Sequence, residues 1–430
     1  MLAHQNITLD NGLRVITATQ THLRSVNVSL FMRCGSRHET DHQWGLTHLL
    51  EHMLFRGSHR YPDTRALART FERSGGMLDA STWRDHTSFV ANVHPACLTD
   101  SLNALADMVQ HPRFVDLDIE RNIVGEELLS DLDENGHDTD ISNLSRARIW
   151  SGHSLGRRIV GSFESLNRFN VDDLIGHHAA HYTANNAVLC VSGNVEHARV
   201  QDLASELFCT LPRNTVISED ATARFAPITY LEIHEQEGSQ LDLQLTFEAL
   251  PDPHEDFPVL ELLVRVLDDG IDSRLHQTVC EKRGLVYNIE TGLDCYADCG
   301  LYDIEMSVTP ERAAAAVDAT LETLECLCEK GVDTAELAFV KRKALYDLEF
   351  SIDSPEEVSR HLGATALFGG SMSFDNAAQR IKTTTAEDLR QLARRIFYSG
   401  AIHVTAMGPA KRANIRAIEK RLGAFAKGGG

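Results

Sequence analysis

Ala187-Val188-Leu189-Cys190-Val191-Ser192-Gly193 is an unbroken run of small and apolar residues, and Ala401-Ile402-His403-Val404-Thr405-Ala406 echoes it near the other end of the chain. A short continuous apolar run bounded by turn residues reads as a strand buried on both faces. The neighbours of the two runs repeat as well. Residues 25–32 alternate like a strand, a helical pattern starts near Gly45, and a second, over 64–74, stops at Gly75-Gly76. A strand-like stretch at 89–93 and helical stretches at 100–110, 116–132 and 172–182 lead to the first run, and a helix over 195–211 follows it. In the later half, strand-like 228–234 and 240–247 precede helix-like 257–267. Strand-like 302–308 then leads to helical 312–330, 336–350 and 355–367. The order recurs at a period of about 220 residues, far too long for a solenoid repeat. It predicts an α+β protein of two homologous α/β-sandwich domains, residues 1–215 and 225–430, joined by a polar connector at 212–227. A hairpin turning at Asp10-Asn11-Gly12 opens the chain.

Of the 430 residues, 43% are hydrophobic, 24% charged and 7% aromatic. That is the profile of a soluble globular protein, not of a disordered, collagen-like or disulfide-scaffold chain. No stretch approaches ~18 consecutive apolar residues, which argues against a spanning helix. The N-terminus lacks a basic segment followed by an apolar one, so a cytoplasmic location is expected. The formal net charge of −21 disfavours nucleic acid and anionic membranes as partners. It accommodates a neutral or basic substrate, and it serves solubility in its own right. Nine cysteines, an odd number without paired C-x2-C spacing, are expected to be free thiols in a reducing compartment.

Chemistry concentrates in Leu46-Thr47-His48-Leu49-Leu50-Glu51-His52-Met53. On a helix, positions i, i+3 and i+4 share a face, so His48, Glu51 and His52 converge. Two neutral imidazoles one turn apart can both reach a zinc ion at about 2.0–2.1 Å, leaving the carboxylate beside the open coordination position. The order H-x-x-E-H inverts the zincin motif H-E-x-x-H. Catalytic zinc takes a third protein ligand, and the helical stretch holding Glu120, Glu126 and Glu127 offers one. Glu120 and Glu127 lie two turns apart on one face, while periodicity does not separate Glu126 from Glu127. His177, His178 and His181 also have helical spacing, but without a carboxylate pattern they read as a polar helix face. The chain has no phosphate-cradling glycine loop and no G-x-S-x-G elbow.

Further strings stand in a telling order. They are Asn11-Gly12-Leu13-Arg14-Val15, Gly35-Ser36-Arg37, the stretch from Gly45 to Ser58, and Gly75-Gly76. Glu120-Arg121-Asn122-Ile123-Val124-Gly125-Glu126-Glu127, Ser273-Arg274-Leu275 and Glu281-Lys282-Arg283-Gly284-Leu285-Val286-Tyr287 complete the set. Together they resemble the pitrilysin/insulinase family of zinc metallopeptidases, in the short-chain branch that includes mitochondrial processing peptidase and small bacterial peptidases. The resemblance implies a zinc-dependent endopeptidase cleaving peptides or unfolded segments inside a dimer chamber. Each chain would form half of a clamshell and hold one zinc ion. It assigns His48 and His52 as metal ligands, Glu51 as general base, Glu127 as third ligand and Glu120 as the acid that supports them. It makes residues 75–82 the edge along which substrate lies, with Ala80 and Thr82 in contact with it. Asp79 stands where the family commonly has Asn.

One departure bears on partners. Tyr287 matches the family's substrate-clamping tyrosine, but Cys280 occupies the position of the arginine that works with it. A thiol cannot replace a guanidinium that donates to a carbonyl or oxyanion. Arg274, Lys282 and Arg283 are nearby, each at a different helical phase. The expected partner, besides peptide, is therefore a homologous subunit supplying an intact Arg/Tyr pair, in a heterodimer. The alternative reading is a non-catalytic structural or assembly subunit of a larger complex. Family members of that kind commonly have a degraded zinc motif, whereas His48, Glu51, His52 and Glu127 are all present here.

Overall fold

The computed structural model describes residues 2–214, 223–370 and 373–428. The chain sorts into two units. One comprises Met1–Gly136, His153–Ala221 and Glu349–Phe374; the other comprises His137–Gly152, Thr222–Leu348 and Asp375–Gly430.

The first unit is built on six strands: β1 (Gln5–Thr8), β2 (Arg14–Thr19), β3 (Val26–Met32), β4 (Leu78–Thr82), β5 (Thr87–Val93) and β6 (Ala187–Gly193). Their order is β1-β2-β6-β3-β5-β4. The run that opened the analysis is β6, central and buried along its whole length. It pairs parallel to β2, with Val15 opposite Leu189, and antiparallel to β3, with Leu30 opposite Leu189. A strand covered on both faces has no polar side, hence the continuous apolar pattern. On one face, Leu30, Phe89 and Leu189 share a core with Leu49, Leu50 and Met53 of the Leu46–Leu54 helix. Leu102 and Leu105 of the Leu98–Gln110 helix and Leu174 of the Val171–His181 helix complete that layer. The other face is covered by the Pro355–Phe368 helix, drawn from late in the chain. Its Ser359 hydroxyl lies 2.9 Å from Ser192 Oγ. Its Gly363 sits so close to Phe31 that a Cβ there would be 2.2 Å from the ring.

The second unit has five strands: β7 (Tyr230–His234), β8 (Leu241–Ala249), β9 (Ile289–Cys295), β10 (Gly300–Val308) and β11 (His403–Met407). Their order is β7-β11-β8-β10-β9, again with one parallel pair, β11 with β7. Leu245, Phe247, Ile304 and Val404 join the core formed by the Phe257–Leu267, Ala313–Lys330, Ala386–Phe397 and Arg412–Phe425 helices. The Ile141–Ile149 helix packs on β8 and β11, and its buried Arg146 pairs with Asp303 and, at 2.9 Å, with Asp294.

The expected duplication of an α+β unit is what the two sheets show. Half of the connector expected at 212–227, residues 215–222, lies outside the described residues. All nine cysteines are free thiols. No helix among the described residues is long and apolar enough to cross a membrane.

Candidate metal centre

The Leu46–Leu54 helix buries its apolar residues against the first sheet, and this fixes its rotation about its own axis. His48 and Glu51 are nearly buried, at 7% and 8% exposure. The His48 and His52 rings lie 4.6 Å apart, as i, i+4 neighbours should. Opposite them runs the Leu117–Ser130 helix, which brings Glu127 between the two rings. His48 Nε2 is 3.4 Å from Glu127 Oε1, and His52 Nε2 is 3.5 Å from Glu127 Oε2. Ligand atoms at about 2.0–2.1 Å from a tetrahedral zinc would stand about 3.4 Å from one another. The donor set and its spacing therefore fit zinc. His48, His52 and Glu127 form the one group of this kind among the described residues, with donor atoms within 4.8 Å of one another. Helix phase thus separates what periodicity left open: Glu127, not Glu126, joins the histidines.

Glu120 sits behind them. Its Oε2 lies 3.3 Å from His52 Nδ1, and its Oε1 accepts a hydrogen bond from Arg56 Nε. That contact holds a proton on Nδ1 and turns Nε2 toward Glu127, the arrangement by which an outer carboxylate orients a ligating imidazole. Electrostatics agree. Burial alone would lower the His52 pKa, but its hydrogen bonds to Glu120 and Glu127 push it up to about 10. The hydrogen bonds from His48 and His52 hold the Glu127 carboxyl well below the usual carboxylate range, against the effect of burial. A pocket that stabilises a proton this strongly also stabilises a cation in its place, and metal binding there must release that proton. His48 Nδ1 is buried and has no hydrogen-bond partner.

Glu51 faces the same space from the neighbouring turn. Burial pushes its carboxyl upward, while His48, His52 and a hydrogen bond from Thr82 Oγ1 (3.2 Å) pull it down. Thr82 belongs to β4, the outermost strand of the first sheet, bonded there to β5 alone. Ala80 and Thr82 are half-buried, whereas Asp79 and Ser81 are exposed. An edge of this kind presents unpaired backbone N–H and C=O groups beside the Glu51 carboxylate, the requirement for adding an extended peptide as a further strand.

The remaining predicted residues lie in the second unit. Tyr287 precedes β9 and is 96% exposed. It lines a cavity of about 510 Å³ together with Asp242, Glu290 and Glu305. Cys280 lies half-buried in a π-helical turn, His276–Glu281. Arg274 is engaged elsewhere: its guanidinium makes two 2.7 Å bonds to Glu336. Arg283 pairs with Glu322 at 2.5 Å. The polar helix face expected at His177 is instead interior. His177 is 1% exposed, and its Nε2 lies 3.0 Å from Thr47 Oγ1 and 3.6 Å from Cys34 Sγ. Spacing alone could not reveal this, because the packing of the helix turns His177 toward the back of the Leu46–Leu54 helix.

Residues 14–162 match the profile described as insulinase (peptidase family M16), and residues 168–344 match the one described as peptidase M16 inactive domain. An uncharacterized zinc protease of Bacillus subtilis is 29% identical over 399 residues, covering 91% of this chain and 95% of the relative. Among solved structures, a protease from Helicobacter pylori superposes with a TM-score of 0.89 at 20% identity, covering 95% of this chain and all of that one. A peptidase M16 inactive domain from Pseudomonas fluorescens does so with a TM-score of 0.88 at 19% identity, covering 95% and 98%.

Proposed function

The chain belongs to the insulinase (M16 peptidase) family, and from that premise we propose that it is a zinc-dependent endopeptidase acting on peptides or unfolded segments. The observation that carries this reading is the meeting of His48, His52 and Glu127 with Glu51 beside them. A zinc ion held by those three residues would polarise a scissile carbonyl and acidify water. Glu51 then accepts a proton from water and passes it to the leaving amine. Thr82 orients the Glu51 carboxylate, and Glu120 with Arg56 keeps the His52 ring turned inward. Substrate adds to the free edge of β4 through backbone hydrogen bonds, which places the cleaved bond near Glu51 with little demand on side chains. Tyr287 serves as the substrate clamp of a homologous dimer chamber, with the partner subunit supplying the guanidinium that Cys280 does not.

The test is metal content and turnover in parallel. Wild-type protein should hold one zinc per chain. Glu51→Gln should keep the metal and lose turnover by about 10²–10⁴-fold, the usual worth of a positioned base. Wild-type turnover in that variant would dismiss Glu51 as the base. Protein without zinc would favour the assembly-subunit alternative, and activity of the isolated chain equal to that of a two-subunit mixture would dismiss the shared clamp.

A further inference from the structure

The helix that carries His48, Glu51 and His52 has no cap of its own. The residue at its start is Gly45, in a left-handed conformation (φ 89°), without a side chain to satisfy the first N–H groups. Nor could that position carry one, since a Cβ there would lie 2.7 Å from Gly161 Cα and from Val160 O. A nine-residue helix with its first turn buried cannot leave those donors to water. The carboxylate of Glu39 fills the gap. Its Oε2 accepts from Gly45 N at 2.9 Å and its Oε1 from Thr47 N at 2.7 Å. Glu39 is 4% exposed, so both bonds are shielded from solvent. Burial pushes the Glu39 carboxyl up to about 7 while the two backbone bonds pull it down, and in its ionised form it also complements the helix dipole.

What makes the cap more than a structural fitting is its address. Thr47, whose N–H is held by Glu39, immediately precedes His48, and its hydroxyl is held in turn by His177 at 3.0 Å. The first turn of this helix therefore has two anchors, one on the backbone and one on the side chain, next to a metal-ligating imidazole. If the turn frays, the i, i+4 relation between His48 and His52 goes with it. We infer that Glu39 is a positioning residue of the metal centre, its bidentate cap fixing the spacing at which His48 and His52 present their ring nitrogens. The inference rests on the metal-binding reading above.

The experiment is titration of metal-stripped, full-length protein with Co²⁺, followed by its visible ligand-field absorption, alongside thermal melting of the metal-free protein. Glu39→Gln keeps the shape but offers one acceptor oxygen and turns an amide N–H₂ toward the other backbone donor. It should weaken Co²⁺ binding about tenfold, the scale of a lost helix cap, and alter the absorption bands. Glu39→Asp retains the charge on a shorter arm that cannot reach both N–H groups. It should shift the bands in the same direction, and it decides the matter if the Gln variant does not fold. A cap with only a structural role would lower the melting midpoint and leave affinity and spectrum as in wild type. That result overturns the positioning role alone. Wild-type protein that takes up no cobalt overturns the metal reading, and this inference with it.

Discussion

Strand for strand, β2-β6-β3-β5-β4 of the first unit matches β7-β11-β8-β10-β9 of the second, including the single parallel pair. In each unit the helix after the third strand of that series packs its apolar residues into the core. In the first it is Leu46–Leu54, with His48, Glu51 and His52. In the second it is Phe257–Leu267, with no histidine and with Leu260, Leu262 and Leu263 buried. The edge strands β4 and β9 correspond in the same way, one beside the Glu51 carboxylate and the other following the exposed Tyr287. The fold is thus indifferent to chemistry. A duplicated scaffold keeps its packing in both copies and carries the two histidines and Glu51 on one helix of one copy, with Glu127 on a second helix of that copy.

That contrast can be broken most decisively at the metal ligands. His48→Ala or His52→Ala should abolish both zinc content and turnover, measured by elemental analysis and peptide cleavage, while the metal-free fold still melts cooperatively. The mirror-image change, Leu263→Ala in the second unit's helix, should cost about 2–5 kcal/mol of stability through lost burial and a cavity. Its zinc content should match wild type; a loss of zinc there would show that the two copies do not divide the labour. Glu120→Gln should weaken metal affinity by about 10–100-fold, as loss of an outer carboxylate does elsewhere.

The smallest effect is in protons. In the metal-free chain His52 is raised to about 10 by Glu120 and Glu127, against burial. Its pairing therefore stabilises the fold fully below about pH 6.5, the unperturbed histidine value, and that contribution is lost as pH rises toward 10. Metal binding at neutral pH must expel the proton. Affinity should rise with pH, and calorimetry in buffers of different ionisation enthalpy should report about one proton released per metal bound. No buffer dependence would mean that His52 is already neutral.

Much of this was legible from the chain. The runs at Ala187–Gly193 and 401–406 are apolar because a central strand meets core on both faces, so the duplication showed through hydropathy. The spacing of His48, Glu51 and His52 was sufficient because one helical turn determines their relation. Features set by tertiary contact were not legible. Edge strand β9, Ile-Glu-Thr-Gly-Leu-Asp-Cys, mixes charge and glycine and carries no buried-strand pattern. Glu39 caps a helix from outside the usual cap position, where sequence rules look for Ser, Thr, Asp or Asn. Glu127 is told from Glu126 only by the rotation of its helix, which packing decides.

The Pro355–Phe368 helix has a consequence for how the protein comes into being. It covers one face of the first sheet, with Gly363 seated on Phe31 and Ser359 against Ser192. Translation runs from the amino end, so β6 and β3 emerge long before the segment that shields them. During that interval the nascent first unit keeps this sheet face, with Phe31 on it, bare, a surface for chaperones to hold or for misassembly to exploit. Completion of the first unit thus waits until most of the polypeptide has left the ribosome, and a fragment ending after β6 should be insoluble on its own.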